Sequence, residues 1–272
     1  MKWLKASCFI LFSFSVLALP ALARDLPQLA PGVTCRAYLV YEMHGGRYLA
    51  SCHPEVRQPI ASLTKLMTAI IACERLRFDG RYVLTPKEQA TFGVDTMRAD
   101  KMLELMLVPS NNSVCRVVAR IVAGDEARFA QLMNERARQL GLHDTCFKNA
   151  TGLPAEGQYS TSGDVLVLAL AALRYPALRR ALCLPATDLN GRTLKATLDE
   201  LYRQLPGLQG GKTGYTRAAG RCLVLYYRAP QPQGGDYVIV SLGSKGVKES
   251  FTDALRILQY HGLLAGAHGG SR

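Results

Sequence analysis

The spacing of apolar residues changes character along the chain. Val33 to Met43 alternates and is rich in Val, Tyr and Leu, and Arg47 to Ser51 resumes after Gly45-Gly46, which predicts a β-hairpin. Ile60, Leu63, Leu66, Met67, Ile70 and Ile71 then recur at helical spacing, predicting a buried helix from about Ser62 to Leu76, with Pro59 just outside its start. Asp79-Gly80 breaks it, and Tyr82 to Leu84 is a short strand at best. Met102 to Leu107 suits a second buried helix, ended by Pro109, and Val114 to Val122 a third. Gly124-Asp125 opens an amphipathic helix with Phe129, Leu132, Met133 and Leu140 on one face and Gly141 as its stop. A turn-rich loop at 149–154 precedes a helix over Val165 to Leu173 capped by Thr161-Ser162, and shorter helical pieces reach about Tyr202. Strands at Cys222 to Arg228 and Tyr237 to Leu242 flank a Pro/Gly loop, and Phe251 to Leu264 reads as helix.

Strands, many helices, strands and a helix predict an α/β fold of the α+β kind. One antiparallel sheet is drawn from both chain ends, about 30–60 and 208–264, and an all-helical lobe spans about 62–207. Residues 24–264 are read as a single domain, followed by a flexible Gly-rich tail at 265–272.

The first residues refine this division. Lys2 and Lys5, an apolar run from Cys8 to Leu19 and Ala21-Leu22-Ala23 follow the order of a secretory signal peptide cleaved after Ala23. The run is shorter than the roughly 20 residues of a membrane span, and no later stretch qualifies. The expectation is an exported, periplasmic protein without a stable membrane anchor. Its formal charge is +12, and +10 once the two leader lysines are removed. Such a balance favours anionic surroundings, wall polymer among them. No basic block interleaved with aromatics and no zinc-finger pattern is present, which argues against nucleic acid.

Removing Cys8 leaves seven of the eight cysteines, an odd number with no C-x-x-C pair. His44, His53, His143, His261 and His268 show no metal-ligand spacing, so neither metal nor cofactor is expected. A two-residue turn at Gly45-Gly46 would oppose Leu39 to Cys52, leaving Cys35 four residues, about 13 Å, out of register. A Cys35–Cys52 disulfide is therefore expected to be absent unless a bulge resets the register.

Candidate chemistry centres on Ser62 and Lys65. Residues three apart share a helix face, so the amine can reach the hydroxyl, and burial would depress its pKa enough for it to act as a base. Two short motifs follow in order, Ser110-x-Asn112 between helices and Lys212-Thr213-Gly214, which is expected to open a strand. Each is weak alone. Together with Ser62-x-x-Lys65 they form the set known in penicillin-binding proteins and class A β-lactamases.

From about Gly32 to Tyr260 the chain resembles the low-molecular-mass penicillin-binding proteins, serine-type D-alanyl-D-alanine peptidases with a β-lactamase/transpeptidase-like fold. The likeness includes Ile60-Ala61-Ser62-Leu63-Thr64-Lys65-Leu66-Met67-Thr68, Asn149-Ala150-Thr151-Gly152-Leu153, Gly157-Gln158-Tyr159-Ser160-Thr161 and Gly211-Lys212-Thr213-Gly214-Tyr215-Thr216. The resemblance implies that Ser62 forms the acyl-enzyme, Lys65 is its base and Ser110 relays a proton to the leaving amine. It further implies that Asn112 holds the peptide amide and that Lys212 and Thr213 bind the terminal carboxylate. The resemblance also implies that the Gly214–Tyr215 backbone lines the site, the Tyr215 N–H forming an oxyanion hole with that of Ser62.

The implied activity is D-Ala-D-Ala carboxypeptidase action on peptidoglycan stem peptides, with endopeptidase cleavage of cross-links as the alternative. β-Lactams would be acylating inhibitors, and β-lactamase action or an inactive peptidoglycan-binding role is less favoured. Asp125, Glu126, Glu135 and Glu156 do not fall in the glutamate pattern that class A β-lactamases use for deacylation. Thr187 to Gln209 fits the family less well, the first two motifs are closely spaced, and neither a second β-rich domain nor a C-terminal amphipathic anchor is visible.

Overall fold

Two strand-forming regions far apart in the chain complete one sheet. The structure, a computed structural model, describes residues 30–264, so the expected leader (1–23) and the expected tail (265–272) lie outside the described residues. Strands β1 (Ala37–Glu42) and β2 (Arg47–Cys52) precede a 3-10 turn (Ala61–Thr64) and α1 (Lys65–Arg75). Next come β3 (Arg81–Val83), α2 (Pro86–Phe92), β4 (Thr96–Arg98), α3 (Ala99–Leu107), α4 (Asn112–Ala123), α5 (Glu126–Gln139), α6 (Ser162–Leu173) and α7 (Pro176–Leu182). A hairpin of β5 (Ala186–Leu189) and β6 (Arg192–Lys195) and then α8 (Asp199–Gln204) lead to β7 (Leu208–Thr216), β8 (Gly220–Arg228), β9 (Asp236–Ser244) and α9 (Val247–Tyr260).

The main sheet runs β2-β1-β9-β8-β7, antiparallel throughout. Its period of two divides the core. Leu39, Tyr41, Val224, Val238 and Val240 face α1, α6 and the lobe, whereas Tyr38, Val40, Leu223, Leu225 and Ile239 face Phe251, Ala254, Ile257 and Leu258 of α9. Helices on both faces explain why all of β1 is buried. The α/β class and the sheet drawn from both chain ends are as the sequence predicts.

Four local readings need correction. Residues 186–195 form a hairpin where helical pieces were expected; Asn190 and Gly191 both adopt positive φ (54° and 76°), the Asn-Gly turn signature. Helix α2 is announced by Thr85-Pro86 with Glu88, whose side chains complete a capping box, a signal too short to stand out by periodicity. Lys212-Thr213-Gly214 lies inside β7 rather than opening it, and α9 begins at Val247 and ends at Tyr260.

The first hairpin turns through Met43–Gly46, pairing Glu42 with Arg47, and a bulge between Val40 and Tyr41 then sets Cys52 against Tyr38 instead of Leu39. The bulge does not bring the thiols together: Cys35 and Cys52 are both free. Burial raises both thiol pKa values, that of Cys35 to about 12. Among the described residues no helix is long and apolar enough to cross a membrane.

Candidate active site

Ser62 stands in the 3-10 turn that leads into α1. Ala61 before it is held at a φ of 48°, and Lys65, the first residue of α1, is wholly buried beneath it. Lys65 Nζ lies 2.8 Å from Ser62 Oγ, 2.8 Å from Asn112 Oδ1 and 2.7 Å from the Thr151 carbonyl oxygen. Asn112 arrives on the first turn of α4, which Asn111 caps by accepting from Val114 N. The Thr151 carbonyl arrives on a loop folded around Asn149, whose Oδ1 accepts from Thr151 N, Thr151 Oγ1 and Gly152 N. A neutral amine has two N–H bonds and one lone pair. The two carbonyl oxygens occupy the N–H bonds, and the lone pair is left for the Ser62 hydroxyl.

The opposite wall is β7. Gly214 passes so close to the serine turn that a Cβ there would lie 2.9 Å from Ser62 N, so only glycine lets the strand run alongside that N–H. Lys212 is fully buried and its Nζ donates to Ser110 Oγ (2.9 Å) and to the Thr213 carbonyl (2.8 Å). Ser110 sits between α3 and α4 with a φ of 62°. Thr213 Oγ1 donates to Thr197 Oγ1 at 2.6 Å. Tyr215 is 53% exposed, and the Arg221 guanidinium lies over its ring at 4.1 Å. All eight residues proposed from sequence thus fall in one cleft at the seam between the helical lobe and the sheet edge.

Electrostatics favour the neutral form of both amines. Burial holds Lys65 below the usual lysine range, and the nearby Arg116 charge acts in the same direction. Lys212 is pushed well below it, first by burial and then by the Lys65 charge. The repulsion between the two amines therefore bears chiefly on Lys212, while Lys65 owes its shift first to desolvation. Among the described residues no carboxylate forms an ion pair with either amine. The cleft is therefore electrostatically incomplete, and an incoming anion would fill the missing place.

A family model described as D-alanyl-D-alanine carboxypeptidase matches residues 26–240. The chain belongs to that family. It is 27% identical over 242 residues to D-alanyl-D-alanine carboxypeptidase DacF of Bacillus subtilis, covering 83% of this chain and 61% of that protein. It is 30% identical over 241 residues to the D-alanyl-D-alanine endopeptidase of Pseudomonas aeruginosa, covering 82% of this chain and 75% of that one. Penicillin-binding protein D2 of Listeria monocytogenes, solved in an ampicillin-bound form, superposes with a TM-score of 0.74 at 26% identity, over 86% of this chain and 99% of that one. The fold is that of the family's penicillin-binding proteins.

Three contributions were not foreseen. The Asn149 segment was legible as a family motif, but the Thr151 carbonyl as a lysine acceptor was not, because a backbone group leaves no mark in sequence. Thr197 lies in the segment that fits the family least, and only the β6–α8 connection carries it to Thr213. Arg221 follows Tyr215 by six residues, and the tight turn from β7 into β8 pairs them directly, a register the sequence alone does not supply.

Proposed function

We propose that the chain is a serine-type D-alanyl-D-alanine peptidase acting on peptidoglycan stem peptides in the periplasm, in the first instance as a carboxypeptidase. One observation carries the reading: the Lys65 amine, buried and bonded to two carbonyl oxygens, has its remaining direction on Ser62 Oγ at 2.8 Å.

In the proposed reaction the terminal carboxylate enters beside Lys212 and Thr213, restoring the charge that burial suppresses on Lys212. Lys65 takes the Ser62 proton as Oγ attacks the carbonyl of the penultimate D-alanine. The Ser62 and Tyr215 N–H groups hold the oxyanion, each donor worth about 2.7 to 4 kcal/mol. Asn112 orients the peptide amide. Ser110, held by Lys212, relays the proton that Lys65 took to the departing D-alanine amine, and water then releases the acyl group from Ser62. Among the described residues no carboxylate is bonded to Lys65 or Ser62, which supports slow release of a β-lactam adduct rather than β-lactamase turnover.

Endopeptidase cleavage of cross-links is the second reading, favoured by the 30% identity to the Pseudomonas endopeptidase. The test is twofold. A labelled penicillin should attach to the protein and not to its Ser62→Ala variant; no labelling of the native protein would refute the acyl-enzyme. Mass spectrometry after incubation with a linear pentapeptide and with a cross-linked dimer then shows which substrate is cut.

A further inference from the structure

The Thr151 carbonyl that holds Lys65 is itself held from behind. It belongs to the connection between α5 and α6, and α5 grips that connection at two places. Asn134 donates to the Phe147 carbonyl and accepts from Phe147 N, both at 2.8 Å. Glu126, the first residue of α5, reaches further along: its Oε1 accepts from Ala150 N at 3.1 Å. Ala150 is wholly buried and lies outside every helix and strand, so a side chain has to supply the acceptor its N–H requires. The Ala150 carbonyl accepts from Thr68 Oγ1 of α1 at 2.7 Å. Both backbone groups of Ala150 are thus tied to helices, and the next carbonyl in the chain meets Lys65 Nζ at 2.7 Å.

The other oxygen of Glu126 lies 3.9 Å from Arg116 Nε, and that arginine side chain is 53% exposed. So long and so wet a pair fixes neither partner. What ties Glu126 to the site is its bond to the loop.

We propose that Glu126 is a positioning residue for the base: by accepting from Ala150 N it holds the Thr151 carbonyl on Lys65 and keeps the amine directed at Ser62. The inference rests on the peptidase reading of the cleft. It assigns the effect to the length and acceptor oxygen of the side chain, not to its charge. The charged and titratable groups facing Lys65 are Lys212 on β7 and Arg116 and Cys115 on α4, the thiol pushed up to about 11 by burial. If the Thr151 carbonyl withdraws, the ammonium form loses more than the neutral amine, because a hydrogen bond from a charged donor is the stronger. Lys65 then gives up its proton at lower pH while its aim at Ser62 worsens.

The test follows penicillin acylation across pH in the native protein, in Glu126→Gln and in Glu126→Asp. Gln keeps the length and the acceptor oxygen without the charge. Asp keeps the charge, which also suits the first turn of α5, but is one methylene short. Glu126→Asp should lower the plateau rate by about 10- to 100-fold, the scale of a misplaced catalytic group. Its rising limb should also move down by about 0.5 to 1 pH unit, the excess of a charged over a neutral hydrogen bond. Glu126→Gln should keep the native limb and most of the native plateau. Because Gln also frees Arg116, it reports whatever that guanidinium does to Lys65 by itself. A limb displaced as far in Glu126→Gln as in Glu126→Asp puts the effect in the charge and overturns the proposal. So does a Glu126→Asp variant that matches the native protein, or one whose plateau falls while its limb stays in place, as a mere loss of folded protein would produce. A native protein that is acylated while its variants fail in these ways sinks this inference alone, and one that takes up no penicillin sinks the peptidase reading with it.

Discussion

Two buried lysines in one cleft, with no carboxylate among the described residues bonded to either, set the behaviour of individual residues here. The proposed role of Lys65 as the base requires its neutral form, so the acylation rate should rise with pH and level off below the free-lysine value of about 10.4, since burial lowers its pKa. Lys65→Arg keeps a permanent cation and removes the base. It should slow penicillin acylation by about 10²- to 10⁴-fold and abolish the rising limb, as followed by stopped-flow labelling across pH. Lys212 separates recognition from stability. Its pKa in the folded state lies well below that of the unfolded chain, so between those two values the unfolded state binds more protons and stability rises with pH. Below the folded value the penalty is constant. Lys212→Met should therefore melt higher than the native protein near neutrality, and the gap between the two melting curves should narrow as pH climbs towards about 10. The same variant should lose about 10- to 100-fold in acylation by carboxylate-bearing substrates, the worth of a hydrogen bond to a charged group.

At the scale of elements, the site depends on how tightly the 149–154 loop closes on the serine turn. Gly152 has a φ of 83°, and a Cβ there would stand 1.9 Å from the Ala61 carbonyl oxygen. Gly152→Ala should therefore push the loop away and carry the Thr151 carbonyl off Lys65. We expect a loss of about 2 to 4 kcal/mol in urea unfolding together with slower acylation, whereas a purely local strain would leave acylation intact. The same contact shows what was legible beforehand. Helices α1, α3, α4, α5 and α6 declare themselves because each keeps an apolar stripe against the core, and Thr161 and Gly141 sit where a cap and a stop belong. Ser62 and Lys65 could be paired because helix geometry is local. The β1–β2 register could not be fixed, since a bulge between Val40 and Tyr41 shifts every later pair by one residue and rests on packing across the sheet. The β5–β6 hairpin was readable from Asn190-Gly191, but its strands are only four residues each and β6 is largely exposed, so no alternation marks them. Thr197 was hidden for the same reason: its partnership with Thr213 joins segments whose approach only the folded chain defines.

For the whole molecule, the decisive feature is that the cleft lies on a seam. Ser62, Lys65, Ser110 and Asn112 belong to the helical lobe, and Lys212 to Tyr215 belong to the edge strand of a sheet whose other members come from both ends of the chain. A ligand bonded to Ser62 and paired with Lys212 therefore ties the two parts together and supplies the anion that the buried amine lacks. Giving that buried amine a charged hydrogen-bond partner should contribute about 1.5 to 3 kcal/mol. At about 2 to 4 °C per kcal/mol for a chain of this length, the penicillin adduct should melt about 3 to 12 °C above the free protein. Two controls make the source of the rise visible. Ser62→Ala should show no shift at the same penicillin concentration. An acylating agent of similar size without the carboxylate should attach to Ser62 yet raise the melting temperature by clearly less. Should both adducts stabilise equally, the gain comes from filling the cleft, and the pairing of Lys212 with the carboxylate is the part of the mechanism to abandon.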